Sequence, residues 1–219
     1  MTKYKTGMIV LLLLCLCSFH FVKAEEQPKA LKNKIIYLDP GHGGADPGAL
    51  YKKIEEQAIN LKIANKLKQK LESAGVTVYL TRDGDYDLSV PYAINRKRSD
   101  LSRRANIINR SNCDLYLSIH LNAETSSSWH GAEAYYDDVN SENEKIAKIM
   151  QDEFRKSLDS KRNYKKTDSM YLHKRIERPG VLLEVGFLSN PNDRYLLTQD
   201  WYQDKVANSI LNGIIKYFS

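Results

Sequence analysis

Short apolar runs alternate along the chain with longer stretches whose apolar residues return every three or four positions. Residues 34–39 read as a first strand. Residues 56–74 place Ile59, Ile63, Leu67 and Leu71 on one helical face and stop at Gly75. Val76–Thr81 reads as a second strand, 82–98 as a charged, irregular, exposed loop, and Leu101–Arg110 as a helix. Asp114–His120 is the third strand, Gly131–Tyr136 the fourth, Ser141–Leu158 an amphipathic helix, Gly180–Glu184 a short buried strand, and 194–218 closing helix. Strands alternating with helices predict a single α/β domain: a mostly parallel, twisted sheet flanked by helices on both faces.

The N-terminus changes this picture only at its edge. A basic start (MTKYK), the apolar run GMIVLLLLCLCSF and Val22-Lys23-Ala24 before acidic residues predict a signal peptide or uncleaved anchor over 1–24. Residues 25–33 follow as a short stalk and 34–219 as the folded domain. Bulky leucines before Cys15 and Cys17 argue against lipoprotein processing. Both cysteines fall in the apolar run, so the exported part keeps Cys113 alone and must be stabilised by a core rather than an internal disulfide. Removing 1–24 takes Lys3, Lys5 and Lys23 and no acid, which lowers the formal charge from +6 to +3. That mild surplus suits residence near anionic wall polymers or lipid headgroups. It is too small to argue for nucleic acid, and the scattered tyrosines form no base-stacking motif.

The candidate chemistry gathers where strands end. IIYLDPGHGG runs from an apolar strand into glycines that hold His42, and LYLSIH ends its strand on His120. The glycines let backbone crowd a ligand, but neither G-x-G-x-x-G nor G-x-x-x-x-G-K-[ST] is present, which disfavours phosphate. Neighbouring strands lie about 5 Å apart, so two such histidines could reach one metal ion. Glu56, at the start of the first helix, is a third candidate ligand; a set of His, Glu and His leaves a fourth position open. Glu184 follows Val-Leu-Leu on a buried strand, where a carboxylate is costly unless paired or working. Each residue also has a plainer reading. Glu55 or Glu56 could complement a helix dipole, His120 could be a core-edge histidine, and Glu184 could pair with Arg178. His130 and His173 could line a cleft, and Lys174, Arg175 and Arg178 could attract carboxylates or form a solvated basic face.

The segments IIYLDPGHGGADPGA, EQAINL, LYLSIHLNA and PGVLLEVGFLSNPND together resemble, in order and spacing, the zinc-dependent N-acetylmuramoyl-L-alanine amidases of the amidase type 3 family. The resemblance spans roughly 34–217 and is nearest to the germination-specific amidases of spore-forming bacteria, through the SENEKIAK helix and the bare single-domain layout. It implies His42, Glu56 and His120 as ligands of one catalytic zinc ion and Glu184 as the catalytic glutamate. The family ligand stands four residues before an Asn-Leu pair, here Asn60-Leu61, which selects Glu56 over Glu55. Gln57-Ala58 departs from the family's usual Lys-Asp. Arg104 and Asn122 match recurrent positions, with loop shaping, substrate contact or support of the ligands as their implied roles.

The activity so implied is hydrolysis of the amide between N-acetylmuramic acid and L-alanine in peptidoglycan, in spore cortex and on the way to muramic δ-lactam. The place implied is the cell envelope, in the forespore intermembrane space or the cortex. A lipoprotein partner that assists zinc loading is a further implication, as is the lack of a helical insert over the site, since Tyr136–Met170 is too short for one. The alternatives are a vegetative wall amidase for cell separation or autolysis, a zinc peptidase of the stem peptide, and an inactive wall-binding protein. Histidine and carboxylate ligands discriminate weakly among divalent metals.

Overall fold

Period-two alternation along the strands decides which residues meet the core and which meet the site. In the computed structural model, which describes residues 29–219, strand β1 (Ile35–Pro40) sends Ile36 and Leu38 to one side and Tyr37 and Asp39 to the other. It pairs in parallel with β4 (Thr77–Leu80) and β5 (Leu115–Asn122), and β5 pairs in parallel with β8 (Gly180–Phe187). Beyond β8, β6 (Glu133–Tyr136) runs antiparallel and carries the short β7 (Lys165–Lys166) on its far edge, giving the order β4-β1-β5-β8-β6-β7. A small ribbon of β2 (Leu50–Tyr51) and β3 (Ile54–Glu55) follows β1 and leads into the first helix.

One face of the sheet is covered by α1 (Glu56–Ser73), α3 (Asn143–Leu158) and α5 (Asp200–Phe218). Ile59, Ile63, Leu67 and Leu71 of α1 are buried there as their spacing predicts, against Leu38, Leu117 and Ile119. The opposite face packs Tyr37 and Tyr116 against Ala105 and Ile108 of α2 (Arg96–Arg110) and against Leu172 and Ile176. Farther along that second face the residues change from apolar to polar: Asp39, Ser118, His120, Glu184 and Glu133. The site is therefore built on the same sheet surface as the smaller cluster, toward the carboxyl ends of the parallel strands.

Several boundaries differ from the sequence reading. The loop after β4 is not exposed throughout: Arg82 is fully buried, and α2 begins at Arg96, where the Asn95 side chain accepts a hydrogen bond from the Arg98 amide at 2.9 Å. The closing helical region is two helices, α4 (Pro191–Leu197) and α5, the first capped by Asn190 with proline at its start. The signal or anchor over 1–24 and the first stalk residues lie outside the described residues. Lys29–Leu31 forms a 3-10 turn, and Leu31 is buried in the main core, so packing begins before Lys34. Among the described residues no helix is long and apolar enough to cross a membrane.

Gly180, at the start of β8, marks a close approach. A Cβ there would fall 2.2 Å from both the carbonyl oxygen and a ring carbon of Tyr116 on β5. Gly180→Ala is expected to cost about 2–3 kcal/mol, seen as a lower urea midpoint with an unchanged slope.

Candidate active site

The turn after β1 is held from below by two buried arginines. Arg82 donates from Nε to the Pro40 carbonyl at 2.9 Å and from a terminal nitrogen to the carbonyls of Gly41 and Gln57, each at 2.8 Å. Arg104 donates to the Pro40 carbonyl at 2.9 Å and to the His42 carbonyl at 2.7 Å, and pairs with Asp100 and Asp39. Asp39 also accepts from the Thr81 and Ser118 hydroxyls. Burial alone would raise the Asp39 carboxyl, but the Arg104 guanidinium and these hydroxyls hold it well below the usual carboxylate range. Burial, and then the neighbouring Arg104 charge, lower Arg82 to about 10. With its carbonyls clamped, the turn carries His42 at a φ of 63°. That left-handed conformation is uncommon outside glycine and costs of order 1–3 kcal/mol.

His42 meets Glu56 and His120 at one point. Glu56 Oε1 lies 3.2 Å from His42 Nε2 and 3.0 Å from His120 Nδ1, and one ligand-type atom from each residue lies within 4.8 Å of the others. The Leu121 amide and the Asn60 side chain also donate to Oε1, and the Ala49 amide donates to Oε2 at 2.8 Å. These bonds fix Glu56 at the head of α1, while Glu55 instead accepts from Gln57. Burial opposes the charge on Glu56, yet hydrogen bonds from the two imidazoles hold its carboxyl far below its ordinary value. Asp46 Oδ2 sits 3.0 Å from His42 Nδ1. Against burial, Glu56 and Asp46 raise the His42 imidazole. Glycine is needed at two points here: a Cβ at Gly41 would overlap the His120 ring, and one at Gly48 would come 2.5 Å from Glu56 Oε2.

Glu184 stands beside His120 as its register partner on β8. Its Oε2 is buried without a hydrogen-bond partner. Burial, then the Glu56 and Glu133 carboxylates, raise its carboxyl well above the ordinary glutamate value. The alternative pairing with Arg178 does not form: that guanidinium donates to the Asn109 carbonyl at 3.2 Å. A cavity of about 250 Å³ opens over Glu184, His42, His120 and Gly41, with Leu182 and His173 in its wall.

His173 lines this cleft, as one of its two sequence readings has it. It is 4 % exposed, its Nδ1 lies 3.0 Å from the Tyr116 hydroxyl, and burial followed by the nearby His120 lowers it to about 4, so it is neutral. His130 lies in a different cavity, beside Trp129. Arg104 reaches the cleft wall and holds the His42 loop. Asn122, past an irregularity in β5, is not among the cleft residues; its carbonyl receives the Leu188 amide at 2.8 Å. Sequence reasoning passed over Asp39, Arg82 and Asp100. The signal available was an aspartate on an apolar strand, in IIYLDP, where an unpaired acid is costly.

A mostly parallel sheet that presents two imidazoles and two carboxylates of opposite acidity at one cleft defines a hydrolase-type site. The chain belongs to the N-acetylmuramoyl-L-alanine amidase family, whose model matches residues 36–216, and it is an enzyme of that class. It is 46% identical over 194 residues to the germination-specific N-acetylmuramoyl-L-alanine amidase of Bacillus subtilis (strain 168), a match covering 86% of this chain and 81% of the relative. It is 34% identical to the amidase LytC of the same organism, of which it spans 37%. Among solved structures it is similar to the CwlD amidase of Clostridioides difficile in complex with the GerS lipoprotein. That match has a TM-score of 0.81 and 40% identity, over 84% of this chain and 98% of that one. The catalytic domain of CwlV from Bacillus (Paenibacillus) polymyxa follows, with a TM-score of 0.74 and 30% identity over 84% and 97% of the two chains.

Proposed function

We propose that this amidase cleaves the bond between N-acetylmuramic acid and L-alanine with one zinc ion held by His42, Glu56 and His120 and with Glu184 as the general base. The observation that carries the reading is joint placement: three donor atoms within 4.8 Å of one another, and a buried, unpartnered carboxyl on the adjoining strand in register with one of them. The donor set fits zinc, because two imidazoles and a carboxylate leave a fourth position open. Asp46, on the far nitrogen of His42, would fix that ring's tautomer as metal-binding histidines require.

Bound there, zinc supplies Lewis acidity that polarises the scissile carbonyl and makes water more acidic. Glu184 takes a proton from the water that attacks the lactyl carbonyl, then returns it to the nitrogen of L-alanine as the C–N bond breaks. A carboxyl made more basic by burial and two neighbouring carboxylates is suited to holding that proton between the two steps. The products are a peptide-free muramic acid and a stem peptide with a free N-terminus. Arg82 and Arg104 act by keeping the His42 turn in place, and the Asn122 carbonyl anchors the Leu188 amide just past β8.

The site of action we propose is spore cortex, where a deacetylase acting on the peptide-free muramic acid would allow δ-lactam closure. Support comes from the similarity to the germination-specific amidase of Bacillus subtilis. The Clostridioides difficile amidase in complex with a lipoprotein supports a lipoprotein partner for this chain, and the role proposed for that partner is help with zinc loading. Export to the envelope, with 1–24 as signal or anchor and a short stalk to the domain, completes this reading.

The test is digestion of purified cortex and vegetative peptidoglycan by the zinc-loaded chain, with mass analysis of the products. Peptides beginning with L-alanine, and muramic acid freed of peptide, are expected. New carboxyl groups inside the stem peptide would instead make it a peptidase.

A further inference from the structure

A second cavity, of about 560 Å³, lies on the far side of Glu184 from the His42 turn and includes Trp129, His130, Glu133, Arg162 and Lys165 in its wall. Its floor is a carboxylate with no exposure at all. Glu133 binds Arg162 at 2.9 Å and Lys165 at 2.7 Å, and the Tyr135 hydroxyl donates to it at 2.8 Å. The Arg162 guanidinium lies 5.0 Å from the Trp129 ring centre and 4.9 Å from that of Phe187, which holds its plane in place. Its Nε has no protein acceptor. Lys161 pairs with Asp159 outside the wall, which leaves Arg162 and Lys165 against the wall's one acid, Glu133, beside an aromatic face that is half exposed.

The place of this cavity ties it to the reaction. Glu133 and Glu184 are register partners on antiparallel neighbours, so their side chains share one face and their backbones are about 5 Å apart. Phe187, one of the two rings beside the guanidinium, is on the same strand as Glu184. A peptide extends about 3.5 Å per residue. A substrate whose scissile amide sits over Glu184 therefore reaches this cavity with the residue or two that follow the cleaved bond.

We propose that the cavity formed by Trp129, Arg162 and Lys165 is the subsite for the free carboxylate of the stem peptide's second residue, adjacent to L-alanine. The inference rests on the amidase reading above and names which part of that substrate the chain grips. A planar guanidinium in the wall and a half-exposed ammonium at the rim match a carboxylate. Trp129 supplies the apolar wall for the peptide's carbon skeleton. The carboxylate adds the negative charge that the cluster lacks.

The experiment compares two peptidoglycan preparations with the same glycan, in which that stem carboxylate is free or converted to the carboxamide. Both are digested by the full zinc-loaded chain and by Lys165→Gln, Arg162→Gln and Trp129→Ala. The wild-type chain is expected to favour the free acid by about tenfold or more in kcat/KM, mostly through KM. Lys165→Gln, at a half-exposed position, should bring the two substrates together with kcat intact, and Arg162→Gln should do so if it folds. Equal kcat/KM for both substrates in the wild type would overturn the subsite, as would a preference that survives Lys165→Gln and Trp129→Ala. Loss of activity in Trp129→Ala on both substrates alike would place a sugar ring there and also overturn it. Those outcomes leave amidase activity standing. Release of no L-alanine peptide from either substrate by the wild type would remove the amidase reading and the subsite together.

Discussion

Glu184→Gln is expected to lower kcat on peptidoglycan by about 10²–10⁴-fold while folding and zinc binding survive. The side chain keeps its shape and loses only its ability to take and return a proton. Among the described residues Glu184 makes no salt bridge and its Oε2 has no hydrogen-bond partner, so the substitution removes no ion pair there. It also removes a group that burial and the Glu56 and Glu133 carboxylates disfavour in its charged form. The melting temperature should therefore hold or rise, and zinc content should match that of the parent. The pair of readings separates a base from a ligand. Lost metal together with lost activity would make Glu184 a ligand, and near-parental activity would leave the reaction without its proposed base.

What the sequence disclosed and what it concealed follow from the range of the interactions. Ile59, Ile63, Leu67 and Leu71 advertise their helix face because the period is local, and β1, β5 and β8 are legible as apolar runs ended by glycine or by polar residues. His42 and His120 were legible as neighbours because both close strands of one parallel sheet. The family spacing selects Glu56 over Glu55, and in the structure Glu56 faces the imidazoles while Glu55 faces Gln57. The support beneath them was not legible. Arg82 sits in a run of charges that reads as solvated, yet its partners are carbonyls of the β1 turn some forty residues earlier and of Gln57. Glu133 and Arg162 meet only because the segment leading into β7 lies beside β6, and β7 has two exposed lysines and no period to read. His173 looks like one more member of a basic run, but the 3-10 turn that carries it points the ring at Tyr116.

That hidden support gives the largest stability effect. Arg104→Met is expected to destabilise the protein by about 3–5 kcal/mol at neutral pH, a large part of the roughly 5–15 kcal/mol that holds a domain together. The cause is less the lost ion pair than what remains: Asp39, 1 % exposed, keeps the Thr81 and Ser118 hydroxyls but no cation, Asp100 loses its bidentate partner, and the His42 carbonyl loses its donor. The pH dependence carries the sign of the explanation. In the parent the folded Asp39 carboxyl lies below its unfolded value, so its stabilisation is complete above about pH 4 and is lost as pH falls toward the folded value. In the variant, burial without the guanidinium raises that carboxyl above its unfolded value, so acid relieves the penalty. The gap in urea stability between the two proteins should therefore be widest near pH 7 and shrink toward pH 4. Adding Asp39→Asn to Arg104→Met should recover part of the loss, because it removes the stranded charge. A gap of equal size at every pH would mean that Arg104 stabilises by packing and carbonyl contacts alone. In that case the Asp39 charge has no part in holding the His42 turn.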